Sequence, residues 1–194
     1  LGAIDKFEFN NDAKKTLYNL SLIERLPNSP QWNYTFGAGY RHLVENGNWL
    51  FTVSRNMLDN QSTKYYKNIE TPANLLYDYQ SREAENKLRI DRNFKISDYQ
   101  FSSGANINFA KYTNNSTIKQ VNQNSVDYDV INSELNLVQY GFYVQSSGKF
   151  VEDALQVSLG ARIDGSNYSD KTNNPLEQFS PRLSLSLRLS NQWK

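Results

Sequence analysis

Three consecutive stretches between Leu137 and Leu189 alternate apolar and polar residues almost without error. Successive side chains of a β-strand point to opposite faces, so a period of two gives each stretch one apolar face and one polar face. Each apolar face must lie against either a protein core or lipid. The three apolar rows are Val138, Tyr140, Phe142 and Val144; Leu155, Val157, Leu159, Ala161 and Ile163; and Leu183, Leu185, Leu187 and Leu189.

The same alternation recurs between residues 32 and 57 and between residues 84 and 109. Asn46-Gly47 separates two such stretches, and Asn-Gly is a strong signal for a tight hairpin turn. Arg55 and Arg92 are exceptions on the apolar rows. The pattern predicts an all-β chain, an antiparallel up-and-down meander of about seven to nine strands.

The predicted connections alternate between short turns and long polar loops. Short turns are expected at 44–48 and near residues 97, 152 and 190, and long loops at 59–81, 113–136 and 169–178. Outer-membrane barrels have short periplasmic turns and long outer loops. Trp49, Tyr99 and Trp193 each follow a short turn, as expected for aromatic rings at a membrane interface. Loop asymmetry and aromatic placement together predict a segment of a transmembrane β-barrel.

Charge and hydropathy agree with this prediction. The formal net charge is +1, which gives no field that would favour nucleic acid. The mean hydropathy of -0.72 is compatible with a barrel, because strands that alternate apolar and polar residues average out. The polar rows carry several charges, which suit a solvated lumen better than a dry core. The predicted lumen-lining residues are Arg89, Asp91, Asn106, Asn108, Arg162, Asp164, Arg182 and Arg188.

Three motifs resemble the barrel strands of TonB-dependent outer-membrane receptors. They are Tyr140-Gly141-Phe142-Tyr143-Val144-Gln145, the run Leu155-Gln156-Val157-Ser158-Leu159-Gly160-Ala161-Arg162-Ile163-Asp164, and Phe179-Ser180-Pro181-Arg182-Leu183-Ser184-Leu185-Ser186. The similarity is good over residues 82 to 194 and loose over 31 to 60. The resemblance implies a bacterial outer-membrane location and a barrel of about 22 strands. It also implies an N-terminal plug domain and a periplasmic TonB-type energiser.

The chain departs from that pattern, because it has room for fewer strands and we expect no plug domain or TonB-contacting box within it. We therefore expect a fragment of a receptor, with residues 1 to 30 as an irregular loop or short strands and residues 31 to 194 as the barrel segment. Its expected partners are outer-membrane lipid, the plug, the remaining barrel strands, the energiser and an extracellular ligand. The expected function is binding and import of a nutrient complex, such as a siderophore, vitamin, glycan or peptide.

Catalytic and metal-binding signals are weak, so we predict no enzyme activity, no cofactor and no metal site. His42 is the only histidine, there is no cysteine, and no nucleophile motif such as G-x-S-x-G occurs. A weak ligand-binding prediction falls on Tyr65, Tyr66, Tyr77 and Tyr79, which could stack on a sugar or aromatic ligand. Two alternatives stay open: a complete small outer-membrane barrel, porin-like or adhesin-like, and a soluble β-barrel that carries a lipophilic ligand.

Overall fold

In the part of the chain that the structure describes, eight strands form one sheet in which every strand lies beside its neighbour in the chain. The computed structural model describes residues 1–11, 15–121, 125–152 and 154–188. The all-β antiparallel meander and its strand number are therefore confirmed. The strands are β1 (Gly2–Phe7), β2 (Ser29–Val44), β3 (Gly47–Tyr65), β4 (Leu75–Ile96), β5 (Tyr99–Val121), β6 (Val126–Phe150), β7 (Leu155–Ser166) and β8 (Ser180–Leu187).

Among the described residues, two α-helices interrupt the strands, α1 (Leu17–Arg25) and α2 (Asp170–Asn173). The side chain of Thr16 caps α1 by accepting a hydrogen bond from the backbone N–H of Asn19. Helix α1 ends before Pro27, because proline disfavours helical backbone in the residue that precedes it. Neither helix in the described part of the chain has the length and apolar character of a membrane span.

The predicted long loops at 59–81 and 113–136 are wrong in extent, because strands occupy most of both ranges. Strand β3 continues to Tyr65 and β4 begins at Leu75, with only two short 3-10 turns between them. Strand β5 reaches Val121 and β6 begins at Val126. Backbone hydrogen bonding between strands does not depend on side-chain polarity, and Thr and Tyr favour strands. Polar residues thus extend the strands here.

The sheet order runs from β1 to β8, and within the described residues these two end strands do not pair with each other. A closed eight-stranded barrel, the first alternative, would require that pairing. A soluble barrel with an apolar interior, the second alternative, would require buried apolar rows. Leu183 and Leu185 are instead 64% and 63% exposed, and Met57 and Ala110 are the buried apolar residues among those described. Neither alternative matches the structure.

The chain divides into two compact units, and each long strand contributes to both. Unit 1 comprises Leu1–Phe36, Asn56–Glu85 and Lys111–Asn136. Unit 2 comprises Gly37–Arg55, Asn86–Ala110 and the chain from Leu137 onward. Unit 2 holds the tight turns at Glu45-Asn46 and Ser97-Asp98, and unit 1 holds helix α1 and the β3–β4 connection.

Within unit 1, β1 pairs with β2 from Gly2–Tyr34 to Phe7–Ser29. Asn28 and Thr63 form a two-way backbone pair, with both N–H···O distances at 2.9 Å. The ammonium of Lys64 donates to the carbonyls of Ile23 and Leu26 at the end of α1. These bonds attach the helix end to β3.

Candidate functional site

The polar rows of β4 to β8 in unit 2 carry a set of charged, amide and hydroxyl side chains, which we call the polar wall. Strand register places these residues opposite one another: Gly141 faces Asp164, Tyr143 faces Arg162, and Gly160 faces Arg182. The polar wall comprises Arg89, Asp91, Asn93, Ser102, Asn106, Asn108, Gln139, Tyr143, Arg162, Asp164 and Arg182.

Asp91 is the most buried charged group of the polar wall, at 4% exposure. The guanidinium of Arg89 donates to its carboxylate at 2.7 Å, and the hydroxyl of Tyr143 donates to Oδ1 at 2.7 Å. The Arg89 guanidinium also lies 5.8 Å from the centroid of the Tyr143 ring. A buried carboxylate needs such charged and hydrogen-bonding partners, since it has lost its water.

Two further hydrogen bonds extend this group. The Ser102 hydroxyl donates to Oδ1 of Asn93 at 2.7 Å and lies 3.4 Å from the Tyr143 hydroxyl. Tyr143 is therefore the point at which side chains of β4, β5 and β6 meet.

Gly104 provides the space for this meeting. A Cβ atom at position 104 would overlap the Tyr143 ring and lie 2.5 Å from Oδ1 of Asp91. Any larger residue would push the tyrosine away from the carboxylate. The contact between Tyr143 and Asp91 thus depends on a glycine in the strand between them.

A second ion pair lies on β7, where Arg162 donates to Asp164 through two nitrogens at 2.6 and 2.7 Å. Such two-point pairing is the strongest geometry for arginine and a carboxylate. A cavity of ≈ 300 Å³ lies beside this pair. Its lining includes Arg89, Arg162 and Arg182, with Tyr143 and Gly160. Three guanidinium groups therefore border one hollow of the polar wall.

The remaining predicted lumen residues divide into two groups. Asn108 is buried at 7% exposure and donates to Oε1 of Gln139 at 3.0 Å. Asn106 lies near Gly141, with its Oδ1 3.0 Å from where a Cβ atom at that glycine would be. Arg188 lies beyond the end of β8, where its backbone N–H donates to Ala154. Arg188 is therefore outside the polar wall as we define it.

Tyr143 and Ser102 lie on the polar rows, but the alternation alone does not mark them as site residues. The signal that could have found Tyr143 is a large polar ring on β6 among glycines of the same rows, Gly104 and Gly141. A small residue beside a large one allows the large side chain to lie across the sheet.

The apolar rows of unit 2 carry aromatic rings near the tight turns, which we call the aromatic belt: Trp49, Phe94, Tyr99, Phe101 and Phe150. Phe94 stacks on Phe101 with centroids 5.1 Å apart, and Tyr99 meets Phe150 at 6.1 Å. Trp49 stacks on Phe51 at 6.3 Å. Trp193, predicted to belong to the same set, lies outside the described residues.

The four tyrosines of the weak ligand-binding prediction lie mainly on strands. Tyr65 ends β3, Tyr66 begins a 3-10 turn, and Tyr77 and Tyr79 lie on β4. Tyr77 and Tyr79 stack with centroids 6.2 Å apart, and the Lys67 ammonium lies 5.2 Å from the Tyr66 ring. Stacked pairs of this kind stabilise their own strand, and their role in binding stays a prediction.

Unit 1 contains a separate buried acid, Asp59, with no exposed surface. Arg82 donates to it through two nitrogens at 2.9 and 2.7 Å, and Gln61 donates at 3.1 Å. Burial raises the pKa of the Asp59 carboxyl, but the hydrogen bonds from Arg82 and Gln61 outweigh this and hold the pKa below its usual value. Asp59 is therefore a charged structural anchor.

Comparison with protein families decides the identity of this sheet. A family model described as TonB dependent receptor-like, beta-barrel matches residues 4–194. The chain belongs to this family. TonB-dependent receptors are transporters of the Gram-negative outer membrane. A comparison with curated protein sequences finds no matching relative.

Among solved structures, this TonB-dependent receptor sheet is similar to the copper transporter OprC. The TM-score is 0.51 at 11% sequence identity, over 85% of this chain and 28% of that chain. The likeness shows a shared fold, and the chain spans little more than a quarter of that structure.

Within the described ranges, no group of three His, Cys, Asp or Glu residues is placed to hold a metal ion.

Proposed function

We propose that this chain forms part of the barrel wall of an outer-membrane receptor that binds and imports a nutrient complex. The observation that carries the proposal is the separation of two faces in unit 2. One face has exposed apolar rows with the aromatic belt, and the other has the polar wall with its buried Asp91. Apolar rows outward and charged rows inward are the arrangement of a barrel in lipid.

We assign the membrane-spanning segments to unit 2 and the lumen to the polar wall. Arg89, Arg162 and Arg182 border a cavity there and present guanidinium donors. Guanidinium groups form strong two-point bonds with carboxylates, which suits contact with a plug domain. Family membership supports four further partners in this proposal: the plug, the other barrel strands, the TonB-type energiser and the nutrient complex.

Ligand contact belongs to unit 1 in this proposal. A cavity of ≈ 490 Å³ lies there between helix α1 and the β3–β4 connection. Lys15, Lys67, Glu24 and Asn19 are among its lining residues, so it can offer charged and amide groups to a polar ligand. Lys67, which lines this cavity, also lies 5.2 Å from the centroid of the Tyr66 ring.

Spin labelling in lipid tests the membrane placement. The chain has no cysteine, so Val157→Cys and Gln156→Cys can each carry a single nitroxide. We expect oxygen, which concentrates in lipid, to increase the spin-relaxation rate of the label at residue 157. A water-soluble nickel complex should increase the relaxation rate of the label at residue 156. Equal access of the nickel complex to both labels would overturn the proposal.

A further inference from the structure

Arg92 is a cation on the apolar face of unit 2, within the aromatic belt. Its guanidinium carbon lies 5.2 Å from the centroid of the Trp49 ring and 5.3 Å from that of Phe94. Both distances are within the range of attractive cation–π contacts. The two rings therefore hold this guanidinium on a face that is mostly apolar and on which Arg55 is the other exception.

The hydrogen-bonding groups of Arg92 are largely unused. A guanidinium has five N–H donors, and the one hydrogen bond of Arg92 in the described part of the chain is a long one, 3.4 Å to the Asn93 carbonyl. Arg89 and Arg162 each bind a carboxylate, and Arg55 donates to Asn86 at 2.8 Å. Within the described ranges, Arg92 forms no salt bridge.

The position of Arg92 along its strand indicates what could accept hydrogen bonds from its unused donors. Trp49 is two residues beyond Gly47 at one tight turn, and Arg92 is five residues before Ser97 at the next. Aromatic rings at this level mark the boundary between hydrocarbon and headgroups. A charged side chain facing lipid is stable there only when it reaches water or an anionic headgroup.

We propose that Arg92, held between Trp49 and Phe94, binds the phosphate of a phospholipid headgroup in the leaflet at the tight-turn end. The site rests on the proposed membrane placement of unit 2. The planar guanidinium can donate two parallel hydrogen bonds to phosphate oxygens, and the flanking rings lie against the upper acyl chains.

Quenching of Trp49 in detergent micelles tests this site. The background is the full chain with Trp32→Phe and Trp193→Phe, so Trp49 is the reporter. The probes are phosphatidylglycerol with a doxyl label on its acyl chain and diacylglycerol with the same label but no phosphate. We expect phosphatidylglycerol to quench Trp49 by half at about a fivefold lower mole fraction than diacylglycerol does. One charge-assisted contact worth about 1 kcal/mol corresponds to about fivefold in affinity.

Arg92→Gln should abolish this preference, and Arg92→Lys should keep part of it. Arg55→Gln is the matched control, because it removes the same charge from the same face while its own partner is Asn86. Circular dichroism of each variant checks that the sheet forms. A preference that survives Arg92→Gln, or that is lost equally in Arg55→Gln, would overturn the proposal.

The two proposals fail in different ways. If both lipids quench Trp49 equally in the protein that retains Arg92, the apolar face lies in lipid but the proposed phosphate site is wrong. If neither probe quenches Trp49 and the chain self-associates through this face, the membrane placement fails and the phosphate site fails with it.

Discussion

Tyr143 reaches Asp91 across an intervening strand because the residue between them, Gly104, has no side chain. The same principle operates at Gly141, where Asp164 occupies the space that a Cβ atom would need and Nη2 of Arg162 lies 3.1 Å from that position. At the residue scale, the polar wall is thus built from large polar groups placed beside small ones. Packed protein sites of this kind tolerate added atoms poorly.

Replacing Gly104 with alanine should displace Tyr143 and break its hydrogen bond to Asp91. We expect a loss of about 1–3 kcal/mol in the free energy of unfolding, the usual cost of an overpacked site. Gly160→Ala is the matched control, since the nearest atom to its Cβ would be 3.4 Å away. Urea unfolding in detergent, followed by tryptophan fluorescence, measures both. Equal stability of the two variants would contradict the role assigned to Gly104.

The pairing of Asp59 with Arg82 should make unit 1 sensitive to acid. The folded-state pKa of Asp59 is lowered, so its ion pair with Arg82 contributes its full stability above the unfolded-state pKa of aspartate. That contribution is lost as the pH falls through the folded-state pKa, which lies below the ordinary value of an aspartate.

Asp59→Asn should remove this acid dependence and lower stability by about 1.5–3 kcal/mol at neutral pH, since it removes hydrogen bonds to a buried charge. Unfolding measured between pH 3 and 7 checks both effects. Glu134→Gln, which removes an exposed pair with Lys111, should change the pH profile far less, because water screens that pair. An identical profile for Asp59→Asn and the parent chain would show that the buried pair is not the acid-sensitive group.

At the scale of elements, side-chain alternation was enough to predict the strands and their two faces, but not where the strands end. The tight turns at Asn46-Gly47 and Ser97-Asp98 were predicted because their residues favour turns. The residues from 59 to 65 and from 75 to 81 were predicted as loop because they are polar, yet they pair as strands. Polarity reports exposure to water, and it does not report backbone pairing.

The polar wall was predictable in part for the same reason. Alternation assigned Arg89, Asp91, Arg162 and Asp164 to polar rows, but it does not show which rows lie opposite one another. Register depends on turn geometry and on packing across strands. The central place of Tyr143 depends on register and needed the structure. The domain boundary near residue 30 stays a prediction.

The hairpin of β2 and β3 lies tightly against β4 through Gly47. Its backbone has a φ of 156°, and a Cβ atom there would overlap the Asn93 carbonyl and lie 2.7 Å from Cα of Phe94. Gly47→Ala should therefore move the turn away from β4 and break the bond from the Lys95 N–H to the Asn46 carbonyl.

We expect a red shift of Trp49 emission and a lower melting temperature for Gly47→Ala, with Trp32 and Trp193 replaced by phenylalanine. Gly39→Ala is the control, because its Cβ would meet nothing closer than 3.8 Å. A melting temperature and emission maximum unchanged from the parent would rule out the close approach as a constraint.

At the scale of the whole molecule, the end strands of the sheet leave backbone groups available for pairing with another chain. The backbone N–H of Arg188, just after β8, donates to the carbonyl of Ala154, just before β7. In an antiparallel ladder every second residue bonds to the same neighbour, so the backbone N–H groups of Arg182, Ser184 and Ser186 also point to β7. Leu183 and Leu185 then direct their N–H groups to the free edge. Pro181 belongs to the same free-edge set and has no N–H.

This edge predicts that the purified chain self-associates in detergent with increasing concentration. Leu185→Pro should reduce association, because it removes a free-edge donor and leaves the bonds to β7 intact. Ser184→Pro should instead weaken the pairing of β7 with β8. Light scattering after size-exclusion chromatography, with circular dichroism as a fold check, measures both. Association that is unaffected by Leu185→Pro would exclude the β8 edge as the contact.

Both ion pairs of the polar wall join residues two apart on one strand, Arg89 with Asp91 and Arg162 with Asp164. Each acid is thus neutralised by its own strand rather than by its neighbour. In the proposed receptor, a plug or ligand can therefore bind to this face and leave it again while both ion pairs stay intact.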